Sequence, residues 1–233
     1  FRHCGFVDPP TFSYASLRPS GVWQTSCIFP FHKFMLSDSN LVICHLACAP
    51  MRATASHLSE KTHQLLFGDT CEILEPGPVF CHARSLFEGY EGWIDSRQFR
   101  PLTLPAPPTG VGSIISDEVA ALAVSSERQL WLPLGALLPE YHEGKFRLGE
   151  ELFHFQGQVH RVRPAENAFE LLAYAMRYLH APYYWGSRTP WGIDCSGLTQ
   201  MTFRAFGYTL RRDCSQQHLQ GQAVPTLAES QPA

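Results

Sequence analysis

The stretch Gly192-Ile193-Asp194-Cys195-Ser196-Gly197-Leu198 decides the fold of the last third of this 233-residue chain, because it opens an amphipathic helix. Apolar residues then recur at helical spacing, and Gly207 is placed to end the helix; the stripe consists of Cys195, Leu198, Met201, Thr202, Phe203 and Phe206. The free N–H groups and dipole at a helix N-terminus favour a thiolate. The position therefore predicts that Cys195 is an activated nucleophile. The alternative is a buried structural cysteine, which the polar neighbours Asp194 and Ser196 disfavour.

Further motifs flank this stretch on both sides. In chain order they are Tyr178-Leu179-His180, Pro182-Tyr183-Tyr184-Trp185-Gly186, Asp194-Cys195-Ser196-Gly197-Leu198 and Arg212-Asp213-Cys214-Ser215-Gln216-Gln217. Together, over residues 169–217, they resemble the first half of an NlpC-type cysteine peptidase. That family cleaves cell-wall peptides, typically between D-glutamate and the following diamino acid. The chain departs from the family pattern at Ser187, where glycine is usual, and at Cys214, where serine or a similar small residue is expected.

The resemblance implies roles for the residues of these motifs. Cys195 would attack the carbonyl of an isopeptide bond and form a thioester that water hydrolyses. Tyr183 would lie near the oxyanion or position the thiolate, or it is a half-buried aromatic residue. Asp194 and Ser196 would bind the ammonium group of an N-terminal L-alanine, although Asp194 is equally suited to cap the cysteine helix. Trp185 would shape the wall of the site.

The family places its general base, a histidine, on a strand well downstream of the cysteine. After Cys195 this chain offers only His218, in a polar segment where a surface residue is expected. Chain order alone does not exclude His218, because catalytic partners meet in space. We expect the sequence to be a fragment whose base lies beyond Ala233, and hence to be catalytically incomplete by itself.

The region before the site has the pattern of short strands. Runs such as Leu41–Leu46, Gln64–Asp69, Cys71–Leu74 and Tyr90–Asp95 are separated by turn residues, which is typical of a small barrel. Gly89-Tyr90-Glu91-Gly92-Trp93-Ile94 resembles the bacterial Src-homology-3-like (SH3-like) domains attached to these peptidases. We predict such a barrel over residues 36–100. By that resemblance Glu60 and Tyr90 are candidates to contact the free amino end of the peptide, although Glu60 is also typical of a plain surface residue.

The middle of the chain carries a proline-rich segment and further strand patterns. Residues 101–112 predict an extended linker, and residues 113–163 predict a second small barrel with His154 and His160 on its solvent face. In residues 164–233 a helix precedes the site, with a packing stripe of Ala168, Leu171, Leu172, Ala175, Met176 and Leu179. The predicted fold class is α+β: two SH3-like barrels, then the first half of a papain-like cysteine peptidase domain.

Residues 1–34 lack the period of a helix or a strand and the features of a secretory signal. Organised sequence begins directly after Met35. We expect that Met35 is the true start, that residues 1–34 are disordered or non-native, and that the protein is cytoplasmic.

Composition excludes several classes of function. The net charge is −3 with 17% charged residues and no basic block, so nucleic-acid binding has no electrostatic basis. No apolar run is long enough to span a bilayer. The 8 cysteines are scattered without metal-like pairing, which indicates free thiols, no metal and no cofactor.

The resemblance favours a peptidase of murein peptides that have a free N-terminal L-alanine, acting in wall turnover or recycling. Two alternatives stay open at this point. One is a cysteine acyltransferase or amidase of related fold, and the other is a non-catalytic scaffold that binds wall peptides.

Overall fold

The computed structural model describes residues 40–102, 105–224 and 226. The predicted upstream segment 1–34 and the proposed start at Met35 lie outside the described residues. The described part contains two main antiparallel sheets, followed by short helices that carry the candidate site.

Seven short strands form the first sheet, in the order β3-β2-β6-β5-β4-β1-β7. Their bounds are β1 Leu41–Cys44, β2 Cys48–Arg52, β3 Lys61–Leu66, β4 Thr70–Glu75, β5 Phe80–Ser85, β6 Glu91–Asp95 and β7 Phe99–Pro101. Alternating residues face the core, as in β2, where Ala49 and Met51 are buried between partly exposed neighbours. Strand β5 was not predicted from the sequence.

The second sheet has four strands in the order β10-β9-β12-β11, and a separate pair joins β8 to β13. These strands are β8 Ile114–Ser116, β9 Ala120–Val124, β10 Gln129–Pro133, β11 Lys145–Leu148, β12 Glu151–Gln156 and β13 Val159–Arg161. In β12 the pattern is fully alternating, with Phe153 and Phe155 buried and His154 exposed as predicted.

The strand pairings bear on the predicted barrels. Among the described strands neither sheet closes on itself, so two SH3-like barrels are not confirmed and only a mixed fold of strands and helices is established. The predicted linker, residues 101–112, has a strand residue at its start. Pro101 belongs to β7 and pairs with Val42, and Leu102 after it is buried.

Helices follow the second sheet. α1 spans Ala168–Ala175 and continues into a 3-10 turn over Met176–Tyr178. A two-stranded hairpin of β14 Arg188–Thr189 and β15 Gly192–Ile193 leads into α2, Cys195–Arg204, and α3 is a single turn at Cys214–Gln217. Gly207 has φ of +81°, which fits its predicted role at the end of α2.

The packing stripe predicted for α1 is confirmed in part, since Leu171 packs on a buried cluster and Ala168 and Ala175 are partly buried. Tyr174 and Tyr178 are buried, whereas Leu172, Met176 and Leu179 are more than half exposed. The two tyrosines reach the core because large aromatic rings fill the space beside Phe206. His160 is likewise not on a solvent face, since its ring packs on Tyr174 and Phe206 and its Nε2 lies 2.8 Å from the Ala205 carbonyl.

Three apolar clusters hold these layers together. One lies inside the first sheet, and the other two cross between regions of the chain. Ile43 and Phe67 of the first-sheet region pack with the second sheet, while Leu66 packs with the helices around Met201. The helices that carry the site are therefore packed directly on the first sheet, although the predicted domain boundaries themselves stay a prediction.

Candidate active site

The hairpin of β14 and β15 delivers Cys195 to the first position of α2. Asp194 follows β15 directly and caps the helix, its Oδ1 accepting from the Gly197 amide at 2.7 Å. The cysteine is exposed at the surface while Ser196 and Gly197 beside it are buried. A helix N-terminus thus presents a thiol to solvent, as the sequence predicts.

The conformation of Gly186 explains why the Tyr-Tyr-Trp-Gly motif ends in glycine. Its φ is +71°, and a Cβ at this position would collide with the Lys61 carbonyl. The close approach lets the Gly186 amide donate to Asp194 Oδ2 at 2.7 Å. The motif therefore shapes the loop that supports the cap of the cysteine helix.

The same carboxylate also accepts hydrogen bonds from a buried arginine. Arg212 donates to Asp194 Oδ2 at 2.5 Å and to Oδ1 at 3.1 Å. Ser196 is also committed, because its hydroxyl donates to Asp194 Oδ1 at 3.2 Å and accepts from Arg212 at 2.7 Å. Both residues are buried, and their hydrogen bonds hold the start of the helix that carries Cys195. Their predicted role in binding L-alanine stays a prediction.

The sulfur of Cys195 lies 3.4 Å from the sulfur of Cys214. The hydrogen bond with Cys214 raises the pKa of Cys195 above its ordinary value, with burial and the nearby Cys214 charge adding to this and the Ser196 amide opposing it. The expectation of a thiol activated by the helix alone is therefore incomplete. The effect of the second thiol exceeds that of the Ser196 amide, which lowers the pKa of Cys195.

Tyr183 lies beside the thiol pair. Its backbone forms an isolated β-bridge with Ile193, two residues before Cys195. Tyr183 is 66% exposed, so it is not the half-buried aromatic residue that the sequence offers as an alternative role. Partial burial, followed by the charges of Cys195 and Asp194, raises the pKa of Tyr183. The Tyr183 hydroxyl is thus protonated at neutral pH and can donate a hydrogen bond.

The other two predicted contacts come from the first-sheet region. The Trp185 indole donates to Glu60 Oε1 at 2.6 Å, so these two candidate residues meet each other directly. Tyr90 is half-buried near Thr62, and burial, opposed by a hydrogen bond with Thr62, raises the pKa of Tyr90, with smaller effects from Asp213, Arg212 and Glu60. The structure thus gathers residues more than 100 positions apart in sequence around one surface region.

Beneath this surface lies a buried ionic network that the sequence analysis missed. Its members are His63, Asp69, Glu88, Arg188, Asp194, Arg204 and Arg212. Asp69 pairs with Arg188 at 2.8 Å and with Arg204 at 2.5 Å. Burial would raise the pKa of Asp69, but the two arginines lower it below its ordinary value.

His63 joins the two halves of this network. Arg212 Nε donates to His63 Nδ1 at 2.9 Å, so the ring proton sits on Nε2, which lies 2.7 Å from Glu88 Oε1. Burial, followed by the charge of Arg188, lowers the pKa of His63 to about 4. Burial would raise the pKa of Glu88, but His63 and Arg188 lower it to about 2.

One signal in the sequence points to part of this network. Ser196, Gln200 and Arg204 follow each other at intervals of four residues and form a polar stripe on α2, and all three are buried. Gln200 accepts from Arg188 at 3.0 Å. A polar stripe beside an apolar one indicates that the helix packs against charged partners.

No histidine lies at the thiol in the part of the chain that the structure describes. Within that part, Cys214 supplies the only side-chain hydrogen bond of the Cys195 sulfur, and His218 is exposed on the turn after α3. Over the same described ranges, no cluster of three or more His, Cys, Asp or Glu is arranged to hold a metal ion. None of the described helices is long and apolar enough to cross a membrane.

Comparison with known proteins identifies relatives of this site. The family model described as NlpC/P60 matches residues 180–232, which include both thiols. A γ-D-glutamyl-L-lysine dipeptidyl-peptidase of Bacillus cereus is 29% identical over 155 residues, covering 59% of this chain and 46% of the relative. The enzyme of that name from Bacillus subtilis is 30% identical, covering 59% of this chain and 48% of the relative. The chain thus spans about half the length of these curated relatives.

Solved structures agree on the fold. The crystal structure of an NlpC/P60 family protein from Bacillus cereus superposes with a TM-score of 0.71 at 17% identity, covering 82% of this chain and 80% of that one. An NlpC/P60 endopeptidase from Photobacterium damselae gives 0.56 at 16% identity, covering 77% of this chain and 45% of the other. The predicted similarity to NlpC-type peptidases is confirmed.

Proposed function

We propose that this protein is a cysteine peptidase that hydrolyses the bond between γ-D-glutamate and a diamino acid in murein peptides with a free N-terminal L-alanine. One observation supports this most strongly. Cys195 is exposed at the first position of α2, and Asp194, Gly186 and Arg212 fix the start of that helix. A nucleophile held this rigidly meets the geometric need of acyl transfer.

The proposed reaction begins with the Cys195 thiolate. It attacks the peptide carbonyl, the carbonyl oxygen becomes an oxyanion, and the amine leaves after taking up a proton, which gives a thioester that water cleaves. We assign Tyr183 as the hydroxyl donor to the oxyanion or the thiolate, because its pKa is raised, it is exposed and its hydroxyl interacts with the charge of Cys195. The reaction also needs a proton acceptor, which the described residues do not place at the thiol.

Glu60 is a better candidate than Asp194 to bind the ammonium group of the substrate. Its carboxylate is exposed and makes one hydrogen bond, to Trp185, whereas the Asp194 carboxylate is saturated by neighbours. Tyr90 lies near enough to Glu60 for their charges to interact. We therefore propose that Glu60, Tyr90 and Trp185 bind the amino end of the peptide. A place in wall-peptide recycling and a cytoplasmic location stay predictions.

A non-catalytic scaffold that binds wall peptides is the second candidate. It is favoured by one observation, the lack of a histidine at Cys195 within the described residues. An amidase or acyltransferase would use the same thiol on another acyl group.

The test is the turnover of L-Ala-γ-D-Glu-L-Lys by the natural full-length protein. We expect release of L-Ala-γ-D-Glu, detected by mass spectrometry, and a loss of at least about a thousandfold in Cys195→Ala. Glu60→Gln should raise KM more than it lowers kcat, and its effect should be small on a peptide with an acetylated amino end. Unchanged turnover in Cys195→Ala would show that Cys195 is not the nucleophile. Peptide binding without turnover in the natural protein would favour the non-catalytic scaffold.

A further inference from the structure

Cys214 carries an exposed thiol next to the proposed nucleophile. The two sulfurs are 3.4 Å apart, and both cysteines are exposed. A disulfide needs a sulfur separation of about 2.05 Å, so closure requires a shift of roughly 1.4 Å. Among the described cysteines, no other pair of sulfurs lies within hydrogen-bond distance.

Contacts on both sides of Cys214 hold it at this place. Before it in the chain, Arg212 binds the Asp194 carboxylate and the Ser196 hydroxyl. After it, the Gln217 side chain donates to the Ser196 carbonyl at 3.0 Å and to the Arg211 carbonyl at 2.8 Å. The turn of α3 is therefore fastened to the first turn of α2, which keeps the effective concentration of one thiol at the other high.

The remaining described cysteines are poor competitors for an oxidant. They are Cys44, Cys48, Cys71 and Cys81, and all four are less exposed than Cys195 and Cys214. Three of these four are buried and Cys48 is half-buried. An oxidant from solvent reaches the exposed pair first.

We propose that Cys195 and Cys214 form a reversible disulfide when the protein meets a hydroperoxide, with Cys214 as the resolving thiol. The Cys195 thiolate attacks the peroxide, the O–O bond breaks, and an alcohol or water leaves after taking up a proton, so that Cys195 becomes a sulfenic acid. Cys214 then attacks the sulfenic sulfur, the S–O bond breaks, and water leaves with the proton of Cys214. The two thiols lose two electrons in total and the peroxide gains them.

Two consequences follow for the protein. The disulfide removes the free thiol, so on the proposed function it switches off the peptidase. It also protects Cys195, because a sulfenic acid with no resolving partner proceeds to irreversible sulfinic acid. A thiol reductant restores both cysteines by exchange.

Peptide mapping tests the disulfide without reference to activity. The full-length protein is reduced, freed of reductant, treated with stoichiometric hydrogen peroxide, alkylated and digested with trypsin. Cleavage after Arg204 and after Arg212 separates the two cysteines into different peptides. We expect these two peptides to be linked, at a mass two hydrogens below their sum, and to separate on reduction. Two alkylated peptides, a sulfinic acid at Cys195, or linkage of Cys195 to another cysteine would overturn the proposal.

Variants give independent readouts. With excess peroxide, Cys214→Ser should show no link and should accumulate sulfinic acid at Cys195, because a second peroxide molecule oxidises the sulfenic acid. Cys81→Ala should form the link like the parent. Gln217→Ala should form it several-fold more slowly, because α3 is released from α2. If the disulfide forms in Gln217→Ala at the parent rate, the contacts of Gln217 do not hold the two thiols together.

The activity assay separates this proposal from the proposed function. Excess peroxide should abolish turnover reversibly in the parent and irreversibly in Cys214→Ser, where the sulfenic acid is oxidised further. If the disulfide forms but the reduced protein does not hydrolyse the peptide, the proposed disulfide stands and the proposed peptidase activity is wrong.

Discussion

The sulfur of Cys195 lies between two opposing neighbours. The Ser196 amide at the start of α2 favours the thiolate, while the hydrogen bond and charge of Cys214 favour the thiol and raise the pKa of Cys195. At this helix N-terminus, therefore, a side chain from another segment is the largest cause of the raised pKa of the thiol.

Replacing Cys214 by serine is expected to lower the pKa of Cys195. The two effects of Cys214, its hydrogen bond and its charge, are removed, and a serine hydroxyl donates to a thiolate. The pH profile of iodoacetamide alkylation at Cys195, followed by mass spectrometry, should shift to lower pH. Ser215→Ala is the matched control and should leave the profile unchanged. An unshifted profile in Cys214→Ser would mean that Cys214 does not control this thiol.

At the scale of the element, α1 and α2 show two kinds of helix cap. Asn167 caps α1 on the surface, accepting from Phe169 and Glu170 amides. Asp194 caps α2 in the interior and also neutralises Arg212. The side-chain cap of α2 thus also forms a buried ion pair, with Arg212, whereas the cap of α1 only accepts backbone hydrogen bonds.

The two caps should differ in their contribution to stability. Asn167→Ala is expected to lower the free energy of unfolding by about 1 kcal/mol. Asp194→Asn should lower it by about 3 to 5 kcal/mol, because it leaves a buried Arg212 without its partner charge. Urea unfolding followed by circular dichroism measures both. Equal losses in the two variants would mean that the Asp194–Arg212 pair adds nothing beyond capping.

Elements with strong local signals could be predicted from the sequence. The start of α2, its Asp194 cap and Gly207 at its end follow from residues close together in the chain. Strand β5 was missed because its buried positions hold Cys81, Ala83 and Ser85, which are too small and polar to form an apolar pattern.

The buried ionic network could not be predicted for a different reason. Asp69 and Arg204 lie 135 positions apart, so no local pattern joins them. Charged residues are also expected at the surface when a sequence is the only guide. The resemblance located the cysteine, but only the fold shows that Asp194 and Ser196 face Arg212.

At the scale of the whole molecule, the network joins the first sheet to the helices. Three arginines and three carboxylates are buried, with a neutral His63 between Arg212 and Glu88. Since the pKa of His63 is lowered from 6.5 to about 4, the unfolded chain binds its proton more readily than the folded one.

Stability should therefore fall as the pH falls from about 6.5 towards 4, by roughly 3 kcal/mol for His63. A second loss follows below about pH 4.5, as pH approaches the lowered pKa of Glu88. Thermal unfolding at a series of pH values measures both. His63→Gln keeps an acceptor for Arg212 and a donor for Glu88 without titrating, so its stability should be flatter between pH 6.5 and 4. A parallel decline in parent and variant would contradict the assignment to His63.

The sign of the charge differs between the two sides of this network. The turns of the first sheet contribute Asp69 and Glu88. The segment 188–212 around α2 contributes Arg188, Arg204 and Arg212, with only Asp194 to balance them. Without its partner, the side of the first sheet would bury two uncompensated negative charges, and the other side would bury two uncompensated positive charges. A helical segment transplanted onto an unrelated sheet would have to acquire two acids at matching places. Exchange of such modules between relatives is thus restricted to sheets that already carry this acidic pair.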